Sequence, residues 1–344
     1  MTKAITDCSD AELRGLVQAA GGKPFHAKQL AHWVFKQRAL TYDGCRNLPK
    51  ALLSDLAGQL AVATTHISQR QVAGDKTLKL LLELQDGETV EMVLIPEAER
   101  TTLCVSTQVG CPVGCIFCAS GLLGVRRNLG TGEIVEQVLH AQRELPAGRK
   151  LTNLVVMGIG EPMLNLDNLL PALERIHDPD GVNLGARRIT VSTSGYPEHI
   201  ARFAEAPYAY GLAISLHAAD DDLRKRLVPT TQCSVEELVG AARRYFEGTG
   251  RRVTFEVVLL SGVNDRPQDA DLMVRKLRGL SLQVNLLPWN PVAEIEDLRR
   301  PSPQRVETFR ARLRAGGLNV SLRKQRGADR NAACGQLRIA MSGS

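Results

Sequence analysis

Three cysteines fall within eight positions, Cys111, Cys115 and Cys118, in the stretch GCPVGCIFCASG at 110–121. An ionised thiol is a strong ligand for soft metals, and Cys-x3-Cys-x2-Cys offers three such donors on one loop with no fourth beside them. A structural zinc site normally takes four ligands, commonly in two separated pairs. The compact trio better suits three corners of a [4Fe–4S] cluster, with one iron left without a protein ligand. Zinc completed by a distant His or Cys is the alternative. An open iron can chelate a small molecule through an amine and a carboxylate. S-adenosylmethionine carries both, and its reductive cleavage releases a 5′-deoxyadenosyl radical. Phe117, just before the last cysteine, would pack beside such a cofactor and restrict water.

Five of the eight cysteines lie outside the trio. Cys104, in a strand-like run, and Cys334, near the far end, read by residue type alone as core-filling thiols. Cys8, Cys45 and Cys233 match no pattern. The N-terminal stretch MTKAITDCSDAEL has no apolar core, and no run approaches the roughly 20 apolar residues of a membrane span. A cytoplasmic protein with no membrane partner is expected, and there cysteines read as metal or redox chemistry rather than as a disulfide scaffold. The 344 residues are 44% hydrophobic and 23% charged, which suits one large globular domain or one plus a small one. A net charge of +6 permits nucleic acid without indicating it. Basic residues gather at His26, Lys28, Lys36 and Arg38, and again at Arg323, Lys324, Arg326 and Arg330 just before Cys334.

A scaffold must bring these groups together. The first sixty residues read as helices, with Ser9 and Glu12 forming a capping box. Stretches 77–84 and 88–95 flank Asp86-Gly87, a strong hairpin signal. Beyond residue 100, apolar strand-like runs at 102–109, 154–157, 189–192, 211–216, 253–260 and 284–287 alternate with helical patterns such as 131–145, 197–205 and 234–246. Six such repeats imply an α/β fold with a parallel sheet, open or curled into a partial barrel, closed by a strand at 320–323. The expected division is 1–62 (helical), 63–100 (hairpin extension), 101–316 (β-α core) and 317–344 (closing strand and tail with Cys334). Chemistry in such folds gathers at the carboxyl ends of the strands. There the chain puts the cysteine trio, GIGEP, STSG, SLH and PWN.

GCPVGCIFC after a first strand resembles the radical S-adenosylmethionine superfamily. VEMVLIP, LCVSTQVGC, RRNL, MGIGEPMLN, RRITVSTSG, ISLHA, GVND, NLLPWNP and AACGQL, in that order, together resemble the RlmN-type adenine C2-methyltransferases of 23S ribosomal RNA and transfer RNA. The likeness runs from about residue 24 to 338. GEPMLN and PWNP look like this branch rather than its Cfr-type C8-methylating sister, while PVG inside the trio and ASGLLG after it depart from the pattern.

The resemblance implies a partial (β/α)6 radical-SAM barrel, a [4Fe–4S] cluster on Cys111, Cys115 and Cys118, and two S-adenosylmethionine molecules per turnover. Cys334 would take a methyl group from the first, becoming S-methylcysteine. The radical from the second would abstract hydrogen from that methyl, and the methylene would add to adenine C2. Cys104 would resolve the protein–RNA adduct by forming a transient disulfide with Cys334. Glu91 matches the family's proton acceptor, and either Glu91 or Cys104 could take the C2 proton. Gly160 and Glu161 would meet the methionine amine of S-adenosylmethionine. Ser192, Ser215, Leu216 and His217 would meet its ribose and carboxylate, and Asn290 its adenine side. Partners implied are 23S rRNA, tRNA and an electron donor such as flavodoxin with its reductase, acting on a monomer. The N-terminal helices, with Trp33 and the basic residues, would grip RNA, unless Trp33 and Phe35 are core. Two rival classes stay open: a metal-stabilised RNA-binding protein without catalysis, and a radical activase acting on protein.

Overall fold

The computed structural model describes residues 2–122 and 124–337. Three short helices lead: α1 (Asp10–Ala19), α2 (Pro24–Ala31) and α3 (Lys50–Ala57). The Ser9 side chain accepts the Glu12 N–H, and Glu12 reaches back to the Ser9 N–H at 2.8 Å, so the expected capping box starts α1. A π-helical turn, His32–Lys36, continues α2. Three antiparallel strands follow, β1 (His66–Val72), β2 (Leu78–Glu83) and β3 (Thr89–Pro96), with β2 and β3 joined through the Asp86-Gly87 turn.

The core alternates strand and helix: β4 (Thr101–Val105), α4 (Thr131–Arg143), β7 (Asn153–Val156), α5 (Leu166–His177), β8 (Ile189–Thr193), α6 (Pro197–Ala204) and β9 (Gly211–Ser215). It continues through α7 (Asp221–Leu227), α8 (Val235–Thr249), β10 (Val253–Leu259), α9 (Pro267–Leu277), β11 (Leu282–Pro288), α10 (Pro303–Ala315) and β12 (Val320–Leu322). Between β4 and α4, β5 (Gln108–Gly110) and β6 (Val125–Asn128) form a separate antiparallel ribbon. One ten-stranded sheet runs β1-β2-β3-β4-β7-β8-β9-β10-β11-β12, parallel from β4 onward. Its end strands do not pair with each other, so the barrel is partial, as expected.

One expectation is corrected. The first core strand does not run through 102–109. The Gln137 side chain accepts the Ser106 N–H at 2.8 Å and donates to the Ser106 carbonyl at 2.9 Å. That takes the groups a ladder would need, so β4 ends at Val105 and the chain turns into β5.

The N-terminal helices share a continuous apolar core with the barrel: Val17, Leu30, Val34 and Phe35 belong with Ile134, Val138 and Leu173. Trp33 packs partly buried against that core, its indole N–H donating to Asn47 at 2.7 Å, and Phe35 lies under the Arg175 guanidinium. Phe35 is therefore core, while Trp33 sits half-buried at the core's edge. Of the expected 317–344 segment, residues 338–344 lie outside the described residues. Among the described residues no helix is long and apolar enough to cross a membrane.

Candidate active site

Cys104, Cys111, Cys115, Cys118 and Cys334 line one cavity at the carboxyl ends of the barrel strands. Gly160, Glu161, Ser192, Ser215, His217 and Asn290 line it too. Two expected residues do not. Leu216 packs in the main core, between Ser215 and His217, which do line the cavity. Glu91 lies on the Cys104 face of the sheet, two residues from the Val93 that pairs with Cys104, but outside the cavity lining. Nor is Glu91 solvent-facing, as its alternating strand would ordinarily make it: it is 7% exposed and ion-paired with Lys79 at 2.8 Å. Lys79 also reaches the Asn331 carbonyl, tying the pair to the C-terminal loop.

That loop is held over the cysteine trio. The Ala119 N–H donates to the Gly335 carbonyl at 2.9 Å, and the Ser120 hydroxyl to the Leu337 carbonyl at 2.6 Å. Gln336 donates to Pro291 at 2.7 Å, and Asn290 to the Cys334 carbonyl at 3.0 Å. Trp289 closes the other side with its indole N–H on the Phe117 carbonyl at 2.9 Å. PWN thus holds the loop that carries Cys334. Ala332 and Leu337 pack with Cys104, Val93 and Ile159, so the buried thiol of β4 meets the same loop from below.

Glu161 is buried, and both its oxygens are engaged: one accepts the Met163 N–H at 3.0 Å, the other the Ser194 N–H at 2.7 Å and hydroxyl at 2.8 Å. Burial nevertheless pushes its pKa up. The preceding Gly160 has φ +109, and a Cβ there would meet Gln108 and Thr107 atoms at 2.8 Å, so only glycine lets the turn pass this close. Burial drives His217 down to about 3, helped by the Arg224 charge, so its imidazole is neutral. Its Nδ1 accepts the Val258 N–H at 3.2 Å, and its ring meets Phe117 edge-on at 4.6 Å.

The thiols stand out electrostatically. Burial pushes Cys104 up to about 12, while the Arg323 guanidinium pulls the other way. Burial raises Cys334 as well, although the residue keeps surface toward the cavity, and again Arg323 opposes it. Burial also raises Cys111 to about 12, Cys115 well above its usual range, and Cys118. The N–H groups of Val113 and Gly160 point at Cys111, and those of Ser120 and Gly121, with the Ser120 hydroxyl, at Cys118. Partly buried thiols, two of them with N–H donors aimed at their sulfurs, fit an iron–sulfur cluster, whose cations supply the missing countercharge. Among the described residues, no three His, Cys, Asp or Glu side chains converge tightly enough for a single metal ion. A cluster with separate iron corners accepts that wider spacing.

Two cavity residues escaped sequence reasoning as part of the site. Arg323 was grouped with the basic residues expected to grip RNA. Glu256 is a lone acid in the apolar strand VTFEVVL, and that isolation was its signal. Cys8 and Cys45 are buried among the N-terminal helices, and Cys233 donates to the Gly195 carbonyl at 3.3 Å. None of these three lines the cavity.

Comparison with known proteins bears on family and fold. Residues 105–273 match the radical SAM superfamily, and residues 4–62 match the ribosomal RNA large subunit methyltransferase N-terminal domain. A "Probable dual-specificity RNA methyltransferase RlmN" of Rhodopirellula baltica is 45% identical over 95% of this chain and 88% of its own. One of the same name from Thermosynechococcus vestitus is 44% identical over 96% and 97%. The crystal structure of a radical SAM methyltransferase from Sphaerobacter thermophilus superposes with a TM-score of 0.95 at 46% identity, covering 98% of this chain and 99% of that one.

Proposed function

The chain belongs to the RlmN family of radical S-adenosylmethionine RNA methyltransferases, with a [4Fe–4S] cluster and S-adenosylmethionine as cofactors, and on that premise we propose that it methylates adenine C2 in 23S ribosomal RNA and in transfer RNA. One observation carries the reading: the loop bearing Cys334 is hydrogen-bonded to the cysteine-trio loop and packs on Cys104. Two thiols share one cavity with the three proposed cluster ligands.

Bound there, the cluster and S-adenosylmethionine supply the methyl group and an organic radical. Cys334, on the accessible side, accepts the methyl on its sulfur and presents it to the base. Once hydrogen abstraction has let the methylene add to the base, Cys104, buried below, attacks the Cys334 sulfur. A disulfide forms, the sulfur–carbon bond breaks, and the freed carbon takes up a proton as methylated RNA. An external thiol reductant then reopens the disulfide. Glu91, ion-paired with Lys79 beside the loop, is the candidate acceptor for the C2 proton. Glu161, Gly160, Ser192, Ser215 and neutral His217 form the polar wall on which S-adenosylmethionine would rest. Asn290, proposed on its adenine side, also donates to the Cys334 carbonyl. The target adenine leaves its stack to reach this depth. A flavodoxin-type reductant, a cytoplasmic setting and a monomer complete the proposal.

The test is anaerobic incubation of reconstituted enzyme with RNA and methyl-labelled S-adenosylmethionine, followed by nucleoside mass spectrometry. Expected are labelled 2-methyladenosine and both by-products, S-adenosylhomocysteine and 5′-deoxyadenosine. Labelled 8-methyladenosine would move the chain to the sister chemistry. Methylated RNA without 5′-deoxyadenosine would remove the radical half of the proposal.

A further inference from the structure

Arg323 follows β12, its N–H bonded to the Leu286 carbonyl at 3.0 Å, and its side chain lines the reaction cavity. Among the described residues, its guanidinium has one hydrogen-bond-range contact, the thioether sulfur of Met157 at 3.7 Å. An arginine carries five N–H donors and normally finds oxygen acceptors for them. This one faces sulfur: Cys104, Cys334 and Met157 line the same cavity, and among the described residues its charge partners are the two cysteines and the Glu256 carboxylate. Glu256 is held by Asn285 at 3.0 Å, which the Ser321 hydroxyl orients in turn at 2.9 Å.

We propose that Arg323 is a positioning residue for sulfur chemistry, a fixed cation that stabilises negative charge on Cys334 and Cys104 as each sulfur becomes a nucleophile. Neither thiol reacts as S–H; burial opposes ionising Cys104, and the cavity walls oppose it at Cys334, which keeps some exposed surface. A guanidinium built into the cavity wall offsets that penalty at both sulfurs. The inference rests on the function proposed above, because there each cysteine must attack: Cys334 on a methyl group, Cys104 on the Cys334 sulfur.

The test needs no turnover. Anaerobic holoenzyme, its cluster shielding Cys111, Cys115 and Cys118, is treated at pH 7.5 with methyl methanethiosulfonate. This neutral reagent accepts a thiolate at its sulfenyl sulfur and releases methanesulfinate with the bonding electron pair. Peptide mass spectrometry then gives a rate for each cysteine. A thiol raised by one pKa unit has tenfold less thiolate, but each thiolate is more nucleophilic, so the net slowing is about threefold. Arg323→Gln and Arg323→Met should slow Cys334 and Cys104 by about threefold or more, and Arg323→Lys should restore most of the rate. Cys8 and Cys45 should be unaffected. Equal Cys334 rates in wild type and both neutral variants would overturn the proposal. So would neutral variants that lose the cluster absorbance while Arg323→Lys keeps it, since the arginine would then serve the scaffold. A wild type that labels no RNA would sink the proposed function and leave this rate comparison standing.

Discussion

Lys79 and Glu91 sit 8% and 9% exposed at the side chain, 2.8 Å apart, under the loop that carries Cys334. Breaking a buried pair from one side strands a charge and typically costs about 3–5 kcal/mol, whereas removing both partners is often tolerated. Lys79→Met should therefore lower the urea midpoint sharply, and Lys79→Met/Glu91→Leu should recover most of the loss. The double variant should hold its cluster yet fail to methylate RNA, because the candidate proton acceptor is gone. A double variant that methylates normally would return Glu91 to a purely structural role. At this scale much was legible. The trio Cys111, Cys115 and Cys118 stood out because three close thiols are rare, whereas Cys104, Cys334 and GIGEP gained their roles only from the resemblance. Arg323 and Glu256 did not stand out, because what makes them unusual is burial opposite sulfur, which only the folded chain creates.

Between elements, the joint of the N-terminal segment to the barrel is a buried polar cluster. Glu136 on α4 accepts hydrogen bonds from the Thr6 and Thr65 hydroxyls, both at 2.6 Å, and from the N–H groups of Thr64 and Thr65. One turn on, His140 Nε2 meets the Thr65 carbonyl at 3.1 Å. Burial lowers His140 from 6.5 to about 4 and raises Glu136 from 4.5 to about 7. The two act in opposite directions on stability. A histidine held neutral stabilises above pH 6.5, and that contribution is lost as pH falls through about 4. A carboxyl held protonated stabilises below pH 4.5, and that contribution is lost as pH rises through about 7. Each shift is worth up to about 3 kcal/mol. Urea midpoints between pH 7 and 4 should accordingly fall less in His140→Asn than in wild type, and more in Glu136→Gln. Identical slopes in all three proteins would mean that this joint does not titrate. The same scale shows where sequence patterns fail. The strand at 154–157 was legible as an unbroken apolar run, and those at 189–192 and 284–287 because apolar residues recur along a short run bounded by turn residues. The break after Val105 was not, since its cause is Gln137, thirty-one residues away. Strand β1, HISQRQV, escaped because it is an exposed, polar edge with no apolar alternation.

Across the whole molecule, the order of elements was readable from alternation alone, and the relatives carry the same order over almost the full chain. What periodicity could not supply is the return of the C-terminal loop onto the cysteine trio, a contact between segments more than 200 residues apart. That return makes Cys334 part of the site, and the proposed two-thiol chemistry depends on it. The direct measurement is the intact mass of Cys104→Ala enzyme after anaerobic incubation with RNA and S-adenosylmethionine, before and after RNase. Without Cys104, methyl loading and attack on adenine proceed, but no thiol displaces Cys334 from the added carbon. A protein–RNA adduct should therefore accumulate, collapse to a nucleotide-sized remnant on RNase treatment, and be absent from Cys334→Ala. Normal turnover by Cys104→Ala, or methylated RNA from Cys334→Ala, would contradict the account.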